Sequence, residues 1–173
     1  MVVVGIHAYI IYYTGRTAEV SPFTSSYYAL KNVPILDAII VYKFPLSVKT
    51  HLLVYHNSLF FSLMTHNLIS LFILREANIV VNDVPKIYIP DPGDKTHSIW
   101  FPDSKFSIAS SLQGIFSYLL TCKPKIKELV FSEDVLVMTP QIQSCNPNSD
   151  VYAQNEENMI DWEGNMIKLH HWT

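Results

Sequence analysis

The residues whose types and spacing are capable of chemistry are few, and most of them are histidines and aspartates. His51 and His56 stand five positions apart in a β-like stretch, and Asp37 is the lone acid inside the apolar run Ile35-Leu36-Asp37-Ala38-Ile39-Ile40-Val41-Tyr42. Brought together, the three would resemble the ligand set of a metal-dependent hydrolase, because imidazole nitrogens and a carboxylate are ordinary ligands of zinc. The spacing argues the other way. Alternation along a strand sends positions five apart to opposite faces, and a closed metal site needs three or four ligands of fixed geometry. Strand-face histidines are therefore the simpler reading, and no metal is assigned to them. His170-His171-Trp172 lies at the chain terminus, where ligand geometry is poorly held.

Asp37 has two readings of its own. A buried acid on an apolar strand often has a raised pKa and a catalytic task, whereas a single strand aspartate is more commonly satisfied by a backbone N–H or placed at an edge. The second is preferred. Asp83, Asp91, Asp94 and Asp103 fall among Pro, Gly and Asn and read as turn formers. With five glycines in the chain there is no G-x-S-x-G elbow, no G-x-x-x-x-G-K-[ST] and no G-x-G-x-x-G, so nucleophile-elbow, P-loop and dinucleotide chemistry have no sequence support. No cofactor is assigned.

The elements that must position these residues are mostly strands. Ala8 to Tyr13 and Thr17 to Val20 flank Thr14-Gly15-Arg16 and predict a hairpin. Ile35–Tyr42 and Thr50–Tyr55 predict a central strand pair across Pro45-Leu46-Ser47-Val48. A helix is predicted from Asn67 or Ser70 through Ala77, capped by one of those two side chains and stopped by a left-handed Asn78. Ile79–Val81 and Lys86–Ile89 then read as a strand-turn-strand, and 98–101, 106–108 and 115–120 extend the β-structure. A short helix is expected over Ile126–Phe131. The fold class is mainly β with one or two short helices. The expected organisation is a β-rich domain over 1–120, a short helix and connector over 121–139, and a polar linker or tail over 140–173.

Composition bounds the partners. A net charge of -3 offers no polybasic footprint for nucleic acid or anionic lipid. The stretch Ser58–Leu74 is interrupted by Thr65, His66 and Asn67 and is shorter than the roughly 20 apolar residues that span a bilayer. Cys122 and Cys145 form neither a zinc knuckle nor a disulfide framework, and the expected setting is intracellular. Ten tyrosines, with Tyr9, Tyr12, Tyr13, Tyr27 and Tyr28 clustered, could serve an adhesive edge, but sheet packing is the preferred reading.

The segment HNSLFFSLMTHNLISLFILREANIVVNDVPKIYI, His56 to Ile89, resembles the part of copia-type retrotransposon polyproteins that follows the protease active site. The resemblance extends to Tyr13–Phe23, Asn32–Tyr42, Asp91–Asp103, Gln113–Leu119 and Tyr152–Asn165, nearly the whole chain. It implies a retropepsin-like aspartic protease domain, core match 1–90 with a β-rich extension over 91–120, whose relatives work as homodimers. In such enzymes each subunit carries one aspartate in an Asp-Ser-Gly or Asp-Thr-Gly turn, and the two acids share a proton and activate water. Here the aspartates at 37, 83, 91, 94, 103, 134, 150 and 161 are followed by Ala, Val, Pro, Lys, Ser, Val, Val and Trp, and Ser104 is followed by Lys105. The motif position in the relatives precedes the stretch matching Val2-Val3-Val4-Gly5. No catalytic residue is carried over. The expectation is an inactive fragment: a partial barrel lacking its first strands, with an exposed edge that favours homodimerisation or capture of a peptide or polyprotein segment. The alternative is a β-rich interaction module that self-associates through strand edges.

Overall fold

Two neighbouring runs of β-branched and aromatic residues set the architecture. In the computed structural model, which describes residues 1–21, 28–44, 49–93, 95–114, 116–131, 134–141, 149–151 and 153–154, these runs become the central strands of a mainly β protein with two short helices. They are β3 (Leu30–Lys43) and β4 (Thr50–Phe60), paired antiparallel from Lys43↔Thr50 to Ile35↔Leu59. On the far side of β3 lie β2 (Tyr9–Val20) and, beyond its end, the later strand β10 (Thr121–Cys122), both antiparallel. The far side of β4 is covered by two parallel pieces, β1 (Val3–Val4) opposite Leu59 and Phe60, and β11 (Asp134–Val137) opposite His51 to Val54. The stretch 121–139 thus contributes two strands to this sheet, besides its helix.

Both faces of the central pair are buried, which explains why β3 reads as a near-continuous apolar run. On the first face Leu36, Ala38, Ile40 and Tyr42 of β3 and Leu53 and Tyr55 of β4 join Val4, Leu74, Ile99, Phe101, Ile108 and Met138 in the main core. On the second face Ile39, Val41, Leu52 and Val54 pack with Leu129 of helix α2 (Ile126–Phe131). Glu128 starts that helix: its carboxylate accepts from the Lys125 N–H at 2.7 Å and pairs with Lys43 of β3 at 3.0 Å. The same backbone N–H holds the Glu128 carboxyl below its usual range, with help from Lys43.

The first face is roofed by helix α1 (Leu71–Glu76) and a three-stranded antiparallel sheet of β5 (Val80–Asn82), β6 (Ser98–Phe101) and β7 (Phe106–Ala109). A hairpin of β8 (Ser111–Gln113) and β9 (Phe116–Tyr118) follows. α1 ends as the sequence predicts. Asn78 adopts φ +58°, the Ile79 N–H reaches the Leu74 carbonyl and the Asn78 N–H reaches that of Arg75, a Schellman closure. The chain divides into two compact units, residues 1–140 and 141–173, and in the second the Ala153 N–H donates to the Ser149 carbonyl at 3.2 Å within a helical turn.

Three expectations are corrected. Thr14-Gly15-Arg16 is not a hairpin turn: β2 runs through it and pairs with β3 on both sides, the register moving from Tyr13↔Leu36 to Thr17↔Pro34. Gly15, at φ +78°, absorbs the extra residues as a bulge, because glycine enters the left-handed region without a Cβ clash. Lys86–Tyr88 is a 3-10 turn, and the partner of β5 is β6 instead. No side chain caps α1: Ser70 occupies the cap position without a side-chain hydrogen bond, and Asn67 is engaged elsewhere. Asp37, expected at an edge or satisfied by a backbone N–H, takes the second course: β3 has neighbours on both sides there, and the Asn57 N–H donates to its carboxylate. The expected polar tail lies almost wholly outside the described residues, as do Asp94, Tyr27, Cys145 and His170-His171-Trp172.

Candidate functional site

Asp37 sits where the sheet is irregular on both sides. The register with β2 shifts between Ile10 and Tyr12, and that with β4 shifts between Leu36 and Ala38, so Asp37 faces Tyr12 across one seam and the bulge of His56 and Asn57 across the other. Asn57 takes φ +52°, a conformation asparagine tolerates better than most residues. One carboxylate oxygen of Asp37 accepts the Asn57 N–H at 2.9 Å and the other meets His56 Nδ1 at 2.9 Å. The His56 N–H in turn donates to Thr139 Oγ1 at 2.9 Å, and Thr139 is buried. The bulge thus replaces missing ladder bonds with side-chain acceptors.

The arrangement orients an imidazole. With Asp37 ionised it only accepts, so the contact proton rests on Nδ1 and the ring is fixed in one tautomer. What it lacks is a group to act on: among the described residues the His56 ring makes no hydrogen bond to a hydroxyl or thiol. Its main work is to join β3, β4 and the strand end at Thr139. Replacing Asp37 by alanine should therefore lower stability by about 1–3 kcal/mol, the cost of stranding the Asn57 N–H and His56 Nδ1, and Asp37→Asn by less. Urea unfolding midpoints of the two variants check this, and equal midpoints for Asp37→Ala and the parent chain would remove the role.

His51 does not belong to this site. It stands on the first face of β4, buried, stacked on Phe106 with ring centroids 4.0 Å apart. Its Nδ1 is 3.6 Å from Asp134 Oδ2, beyond hydrogen-bond range, and has no hydrogen-bond partner. The trio of His51, His56 and Asp37 is thus divided by the sheet, with two members on one face and one on the other. Among the described residues no group of three or more His, Cys, Asp or Glu side chains could hold a metal ion. Asp103 lies in the β6–β7 turn as read from sequence, and Asp83 pairs with Arg75 at 3.3 Å on the surface.

Three contributors escaped the sequence reading: Thr139, Asn57 and Asn67. The Asn67 side-chain carbonyl accepts the Gly5 N–H at 2.9 Å from 62 positions away, fastening β1 to the segment before α1. A polar residue ahead of a helix reads locally as a cap, so nothing in the local pattern identifies the distant donor.

The second feature of the surface is the outer side of β2. Twelve residues long, it pairs with β3 and, among the described residues, with no other strand. Ile11, Tyr12 and Tyr13 are 45%, 61% and 59% exposed there.

Fold and site together define a mainly β protein with an acid–imidazole pair at a double bulge and, among the described residues, a long strand, β2, paired on one side. No family model, curated protein or solved structure matches the chain. No helix among the described residues is long and apolar enough to cross a membrane.

Proposed function

We propose that the chain is a non-catalytic β-module, of retropepsin-like descent, that associates with a second copy of itself along the outer edge of β2. The observation that carries this reading is that edge: a long strand paired, among the described residues, on one side only, with Ile11, Tyr12 and Tyr13 exposed. Unpaired N–H and C=O groups beside apolar side chains are a template for another strand, and such edges are usually shielded by charge. A peptide or polyprotein segment would use the same ladder. The copia-type resemblance supports descent from a cutting enzyme. The pairing of Asp37 with His56 supports a role in binding, because that acid is already committed to an imidazole and a backbone amide. An intracellular setting goes with this reading, as no disulfide framework is on offer.

Sedimentation velocity across a concentration series tests the proposal. The expected result is a shift from monomer to dimer, lost when Ile11 and Tyr13 are both replaced by lysine, since charge on an edge strand blocks pairing. A monomer at every concentration overturns it. So does peptide cleavage at acidic pH that disappears in Asp37→Asn, which would restore an enzyme reading.

A further inference from the structure

We infer that His51 is an acid-sensitive latch between the main sheet and the three-stranded sheet, closing them together as a neutral ring and loosening them once protonated. This stands apart from the β2 edge and does not depend on it. The geometry is that of a joint. His51 is 5% exposed, and its ring lies against Phe106 of β7 with planes 28° apart. Phe106 in turn meets Tyr42, Phe44 and Phe101, with centroids 6.1 to 6.3 Å apart. The imidazole is therefore where the first face of β4 meets the aromatic cluster beneath β7.

A charge at this place has little to receive it. Among the described residues, the groups that face the ring are Asp134 from β11, Tyr42 from β3 at 6.4 Å between centroids, and Phe106 from β7, while Lys49 acts on it from just ahead of β4. Asp134 favours the protonated ring, but its nearer oxygen is too far for a hydrogen bond and its side chain is 47% exposed. Lys49 repels the charge and Phe106 offers only a ring face. Burial weighs most and draws the His51 pKa below the ordinary imidazole value. Burial also raises the Tyr42 phenol, so Tyr42 stays neutral throughout the acid range.

The direction follows from proton linkage. The closed joint binds fewer protons than the opened one between the lowered pKa and the ordinary value near 6.5, so closure is fully favoured above about 6.5 and weakens as pH falls from there. Below the lowered pKa the loss levels off.

Hydrogen exchange of the whole chain, read at the amides of Ile99–Phe101 and Phe106–Ala109 and corrected for intrinsic rates, tests this at neutral and mildly acidic pH. The expected result is a several-fold increase in opening of those amides on acidification. His51→Phe preserves a stacked ring that cannot charge, and should make the opening independent of pH. Asp134→Asn alters only the rim, removes the favourable charge of that carboxylate and should steepen the acid response. His97, buried near the start of β6 and hydrogen-bonded to Ser117 at 2.8 Å, is unchanged in both variants. An acid response that is absent in the parent chain, or that persists undiminished in His51→Phe, overturns the inference.

Discussion

Gly5→Ala should be the most damaging small substitution in the protein, costing about 3–5 kcal/mol. A Cβ at Gly5 would lie 2.1 Å from the Met64 carbonyl oxygen and 2.8 Å from its carbonyl carbon, both of them backbone atoms that cannot swing aside. Relief requires the 61–68 loop to leave β1. That movement breaks two bonds at 2.9 Å, from the Ile6 N–H to the Met64 carbonyl and from the Gly5 N–H to Asn67 Oδ1. It also pulls on the reciprocal pair between Val3 and Leu68, at 2.9 and 2.8 Å, through which this loop covers the outer side of β1. Overpacking in a tight site costs roughly 1–3 kcal/mol, and each lost hydrogen bond about 1 more. Urea unfolding with an unchanged m-value measures the loss. Asn67→Ala, which removes one acceptor without a clash, should cost only about 1–2 kcal/mol. A Gly5→Ala midpoint no lower than that of Asn67→Ala would show that the close approach does not constrain the chain.

Tyr55 should give two opposite results at one position. It is fully buried on the first face of β4, opposite Ala38, and its ring belongs to the main core. Tyr55→Ala should cost about 3–5 kcal/mol, the usual range for deleting a buried aromatic ring and leaving a cavity. Its hydroxyl has no hydrogen-bond partner, and burial holds the phenol pKa far above its ordinary value. Removing that oxygen lifts an unmet desolvation cost, so Tyr55→Phe should stabilise the protein by about 1 kcal/mol. Thermal or urea unfolding of both variants reads the signs directly. A destabilised Tyr55→Phe would mean that the hydroxyl has an acceptor after all.

These two positions sit at opposite ends of what sequence reasoning reaches. Tyr55 is announced by its run: Leu52, Leu53 and Val54 precede it, and a half-buried or buried strand is the only economical use of such a stretch. Gly5 carries no comparable signal, since its requirement comes from Met64, a residue brought beside it by the fold.

By itself the sequence determined the mainly β class, the central pairing of β3 with β4, the existence of both helices and the left-handed stop at Asn78. Each of these follows from interactions within a few residues, or from an apolar stretch that must be buried wherever it goes. Only the tertiary structure decided that β2 runs unbroken past Gly15, that β5 joins β6, that Asp37 meets His56 while His51 faces away, and that Asn67 serves Gly5. Those outcomes depend on which edges and polar groups remain unmatched once the central pair has formed. Alternation records the face a side chain takes, but a one-residue bulge reverses it, and the bulges at Asp37 are fixed by partners distant in the chain.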